Sequence, residues 1–212
     1  MNINPYTFRV AGVAMLAGTL LMLIGAFSTA YFRRMPPTDP LEQLQVIAGD
    51  AVGWTAQAIV FPVAMAIVAV SFGLTAMQLP GSLARWLALA ATTLSAVACL
   101  LWIPISVARL QLLDAAPALI ASFDANSPPR VMIGNQGLFW LYTALTLASI
   151  SLLGVALALG GVLPRMGWIV AGLAALCLVV VAPLVLRDWP PFMSYLLTLA
   201  LAVALLRWHA PA

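Results

Sequence analysis

The side chains best placed to contact a ligand in this chain are Gln57, Trp102, Arg109, Asn135, Gln136, Tyr142 and Tyr195. They belong to a wider set of polar and helix-breaking residues that includes Ser28, Thr29, Pro62, Pro104, Ser106, Thr143 and Pro183. All fall toward one end of the apolar stretches that carry them. Such a set suits binding, because the groups that would do covalent or redox chemistry are missing from it. The only histidine is His209, so no pair of facing helices supplies haem ligands, a histidine zinc site or the base of a Ser-His-Asp triad. There is no lysine to form a retinal Schiff base, and no glycine-rich phosphate loop. No Asp or Glu interrupts an apolar stretch, which argues against a proton relay or an ion-coupled pump. No catalytic residue, metal site or cofactor is expected.

Each candidate has a structural alternative. An amide such as Gln57 is costly in hydrocarbon unless bonded, so it faces the bundle and either glues two helices or meets a ligand. Arg109 with Asp114 is expected as a solvated interfacial pair worth little, with ligand contact as the alternative. The tryptophans are expected as belt anchors at the membrane surfaces. Trp54, Trp102, Trp140 and Trp189 mark one side, and Trp86, Trp168 and Trp208 the other.

The elements that position these groups are six stretches of about twenty apolar residues, close to what one bilayer crossing needs. They cover 9–30, 53–77, 83–107, 136–161, 166–186 and 191–207. The 212-residue chain is 64% hydrophobic and 7% charged, and its mean hydropathy is +1.09. The expected fold is all-α: a polytopic membrane bundle of six transmembrane helices, forming a single domain over 1–212 with short interfacial helices in the long loops. The runs are too long for membrane strands. The opening run ends in Ser28-Thr29-Ala30 like a signal peptide, but is read as the first span. Cys99 and Cys177 sit in apolar surroundings as small inert hydrophobes, with no disulfide implied.

The nine arginines are dispersed at stretch ends, where they suit lipid phosphates and leave no nucleic-acid footprint. With both termini inside, Arg9, Arg85, Arg165 and Arg207 lie inside. Arg33, Arg34, Arg109, Arg130 and Arg187 then lie outside with all six acids, so counting basic residues does not settle orientation. The tight turns QLPGSLARW and GVLPRMGW, each with an Arg beside a Trp, favour termini in the cytoplasm of a bacterial inner membrane. These two hairpins also echo each other weakly, as a duplicated helical pair would.

On the outer side, Asp39-Pro40-Leu41-Glu42 has the N-cap, first-turn proline and box-closing glutamate of a helix start. Leu41, Leu44, Ile47 and Val52 then share a face that lies along the interface. Ala115 to Phe123 is expected to do the same, with Leu119, Ile120 and Phe123 inward. These segments either cap the bundle or form a lid, and proline kinks at one level would splay the helices and open a cavity beneath them. Small residues at Ala14–Gly18, Gly154–Ala158 and Gly167–Ala171 permit close helix approach, mainly inside the bundle.

The segment Leu138–Leu176, with GVLPRMGWIVAGLAAL at its heart, resembles a group of uncharacterised bacterial six-helix membrane proteins. Pro164, Arg165, Gly167, Trp168 and Gly172 are the matching positions, and AGVAML is similar to that group's opening helix. The loop SFDANSPPRVMIGNQG departs from its shorter linker. The resemblance implies a topology and carries no catalytic residues. The expected function is non-enzymatic: binding a lipid or hydrophobic small molecule, or acting as an accessory subunit of a membrane complex. The partners would be membrane lipids, another subunit or a second copy, and not nucleic acid. A small transporter or flippase and a lipid-modifying enzyme are the alternatives.

Overall fold

The computed structural model describes residues 5–30, 39–124, 136–181 and 189–208. Their secondary structure is all helical: α1 (Pro5–Ser28), α2 (Pro40–Gly49), α3 (Ala51–Gln78), α4 (Ser82–Ala121), α5 (Gln136–Leu159), α6 (Pro164–Leu176) and α7 (Trp189–Arg207). A π turn, Cys177–Val181, continues α6. Helices α1, α3, α4 and α5 are each long and apolar enough to cross a membrane. The apolar helical segments Pro164–Val180 and Pro191–Arg207 are shorter.

Six helices form a ring in which α1 packs on α3, α3 on α4, α4 on α5 and α5 on α6. Helix α7 returns beside α1 and closes the ring against α6 and α5 by a less extensive contact. The core runs the length of the bundle, from Phe8, Leu79, Leu163 and Trp208 at one end to Phe61, Trp102, Tyr142 and Tyr195 near the other. The outer faces are apolar as well. On α1, Val13, Leu20, Ile24 and Phe27 are exposed, and on α3, Ile59, Val63, Val70 and Met77. A water-facing helix would carry polar residues there.

The two ends differ. The capped end holds α2 and the last turns of α4, which bury Leu44, Ile47, Trp54 and Ala116 in a small second core. Helix α2 starts as the sequence suggests: Asp39 accepts from the amides of Leu41 (2.7 Å) and Glu42 (3.3 Å), with Pro40 in the first turn. Val52, expected on the same buried face, is instead 84% exposed, because the chain turns at Asp50 and starts α3 afresh. Ala115–Phe123 is also not a separate interfacial helix. It continues α4 to Ala121, making 40 residues or about 60 Å, twice a bilayer core. Leu119, Ile120 and Phe123 are partly buried against the second core, as expected.

Close helix approach falls where the small residues are. A Cβ on Gly154 would lie 2.7 Å from the Gly167 carbonyl oxygen, and one on Gly167 2.5 Å from that of Gly154, so α5 and α6 touch backbone to backbone. Gly18 is held the same way against Ala64 and Val68 of α3. At the opposite, open end, Gly81 and Gly161 both adopt positive φ (83° and 71°) in the two Leu-Pro hairpins, which β-carbon-bearing residues disfavour. Cys99 and Cys177 are free.

Asp50 fastens α1 to α3. Its carboxylate accepts from the amide of Gly53 at 3.2 Å, capping α3, and from the amide of Ala30 just past α1. Asp50→Ala is expected to cost about 1–2 kcal/mol in reversible unfolding in detergent, as lost caps do.

Candidate functional site

Five of the seven candidate residues meet in one cluster at the capped end. Gln57 (second turn of α3), Trp102 and Arg109 (two turns apart on α4), Tyr142 (α5) and Tyr195 (α7) are all buried. Asn135 lies outside the described residues, as does the side chain of Gln136.

Arg109 organises the cluster. It is 2% exposed, and its Nη1 donates to the side-chain oxygen of Gln57. Its guanidinium carbon sits 5.0 Å from the Trp54 ring centroid and 5.4 Å from that of Trp102, within cation–π range. Trp54 Nε1 donates to the Arg109 carbonyl oxygen at 2.8 Å. The expected solvated pair with Asp114 therefore does not describe Arg109. Asp114 lies five residues further along the helix on an exposed face, while Arg109 points between α3 and α4. Trp54 and Trp102 are not belt anchors either, since each is 1% exposed. Trp86 and Trp168, at the open end, are exposed as anchors are, whereas Trp208 is buried edge-on against Phe8 at 5.1 Å.

Below Arg109 the space is occupied by rings. Phe61 lies 4.5 Å from Trp102 and 6.1 Å from Tyr195, and Tyr142 meets Trp102 edge-on at 5.3 Å. The Tyr142 hydroxyl approaches Met65 Sδ at 4.0 Å. Among the described residues, the interior at the level of the expected cavity holds the rings of Phe61, Trp102, Tyr142 and Tyr195.

Proline chemistry explains how the helices stay together at this level. Pro62 has no amide hydrogen, so the carbonyl of Ala58 one turn earlier lacks its helical donor. Ser106 Oγ on α4 donates to that oxygen at 2.7 Å. Cys99 Sγ approaches the Pro62 carbonyl at 3.4 Å. The serine turns a backbone break into an interhelical bond, which keeps the polar groups satisfied without water. Pro183, the third expected kink, is outside the described residues. Ser106→Ala should cost about 1 kcal/mol. The loss should be smaller in a Pro62→Ala background, where residue 62 again has an amide for Ala58. A double-mutant cycle by unfolding in detergent measures this, and equal costs in both backgrounds would refute the link.

Sequence reasoning named five residues that the structure brings together and missed two roles, those of Trp54 as lid over Arg109 and of Asp50 as fastener. The signal for Asp50 was an Asp just before the apolar run of α3, a position favoured for N-caps. Among the described residues, no group of three His, Cys, Asp or Glu side chains is placed to hold a metal. A second feature is an open groove of about 480 Å³ at the seam of α6 and α7, lined mainly by apolar side chains and ending at Arg207.

Comparison with protein-family models, with curated proteins and with solved structures gives no match.

Proposed function

We propose that this chain is a non-enzymatic integral membrane protein that binds lipid or a hydrophobic small molecule. In this reading it crosses a bacterial inner membrane six times, with both termini in the cytoplasm. The exposed apolar faces of α1 and α3 support a lipid environment, since patches of that extent on a soluble monomer are rare. Segments α6 and α7, though shorter, approach the lower limit of about 17 residues for a crossing.

The contrast between the capped-end cluster and the α6–α7 groove carries the binding reading. Several polar groups of the capped end bond to one another, Gln57 to Arg109, Trp54 to the Arg109 backbone and Ser106 to Ala58, while the Trp102 indole N–H is buried with no hydrogen-bond partner among the described residues. Groups so engaged stabilise a fold and leave little to offer a reacting substrate. The α6–α7 seam, by contrast, is open and apolar, and its volume lies within the roughly 300–1,000 Å³ of small-molecule sites.

Native mass spectrometry of protein extracted gently from its own membrane tests this reading. A bound lipid or small hydrophobic molecule at fixed stoichiometry is the expected result. Retention of a second polypeptide with no small ligand would replace it with an accessory-subunit role.

A further inference from the structure

The lining of the α6–α7 groove has a direction. Leu196, Ala200, Val203, Ala204 and Arg207 form one stripe along α7, and Met166 in the first turn of α6 supplies the facing wall. The stripe rises about 16 Å, from a guanidinium at the open end to the exposed Leu196 at mid-helix. That is about half of a 30 Å hydrocarbon core, the depth of a single leaflet.

Charge is distributed to match. Arg9, Arg85, Arg165 and Arg207 all lie at the open end, while the five described carboxylates, Asp39, Glu42, Asp50, Asp114 and Asp124, lie at the capped end. Arg207 and Arg165 are exposed. No side chain caps the N-terminus of α6, so the positive end of its helix dipole lies near Met166 at the groove wall. This offsets the opposite dipole end of α7 beside Arg207.

We infer that the groove seats one acyl chain of an anionic phospholipid, with the phosphate between Arg207 and the first turn of α6. The inference rests on the lipid-binding reading above, and with both termini inside it places the lipid in the cytoplasmic leaflet. A helix from a second copy would need contact along the full span, whereas among the described residues this groove's lining on α7 runs from Arg207 to Leu196. Ala200 and Ala204, one turn apart, make the trough into which the tail settles.

The test is native mass spectrometry of the full chain, delipidated in mild detergent and titrated with phosphatidylglycerol or phosphatidylcholine of matched tails. Phosphatidylglycerol should be retained about fivefold more than phosphatidylcholine, the worth of one arginine near an anionic headgroup. Arg207→Gln should bring the two lipids to near parity. Ala204→Leu, which fills the trough, should lower retention of both. Arg207 is exposed, so its variant should fold normally, and a thermal melt verifies that. Equal retention of both lipids by the wild-type chain overturns the inference. So does an unchanged preference in Arg207→Gln, although lipid binding as such then still stands. Retention of neither lipid overturns both readings. A dimer that Ala204→Leu dissolves would make the groove a self-association face and overturn the inference too.

Discussion

Gly167→Leu should destabilise the protein by about 3 kcal/mol, the upper part of the usual range for overpacking a close contact. The obstacle is backbone and cannot rotate away: a Cβ at 167 meets the Gly154 carbonyl oxygen at 2.5 Å and the Ala158 amide nitrogen at 2.9 Å. Helices α5 and α6 would have to separate, which also disturbs the bond from Ser151 Oγ to the Ala171 carbonyl oxygen at 3.1 Å. Gly172 provides the control. It lies on the same helix with nothing near the position of its Cβ, so Gly172→Leu should be close to neutral. Reversible unfolding in detergent compares the pair, and similar losses for both would mean that α5 and α6 do not touch as described.

Gln57→Leu should cost about 1.5–3 kcal/mol, because the amide accepts from a buried cation. Arg109→Leu should cost a similar amount, through loss of that bond and of its stacking between Trp54 and Trp102. The double variant should cost clearly less than the sum. Once the guanidinium is gone, an apolar side chain at 57 leaves no charge to satisfy, and buried polar pairs are often replaceable as a unit. Additive losses would place the two groups in separate environments. A Gln57→Leu protein as stable as wild type that had lost a retained molecule would make the cluster a binding site.

Long apolar runs made the helices legible, and the small-residue pairs marked positions at which the structure brings α5 against α6 and α1 against α3. The polar candidates were found by one rule, that amides and charges in hydrocarbon need partners. That rule finds the residues and not their partners. Nothing local in the sequence shows that Arg109 turns inward to Gln57 and not along its own helix to Asp114. The choice depends on Trp54 and Trp102, which come together only when α3 and α4 pack. Tryptophan at a helix end satisfies the belt rule and the core rule equally, so only packing separates Trp54 and Trp102 from Trp86 and Trp168. Similarly, Ala115–Phe123 has the amphipathic pattern of an interfacial helix. Continuity with α4 becomes visible only once Pro104 and Pro117 are seen to be tolerated within it.

That continuity has a mechanical consequence. Because α4 is a single helix of 40 residues, the second core around Leu44 and Trp54 rides on a lever rooted among the hairpins of the opposite face. A tilt of about 5° at the root displaces the tip by about 5 Å, given the helix rise per residue. The two surfaces of the membrane would then share one motion, less whatever bending Pro104 and Pro117 permit within α4.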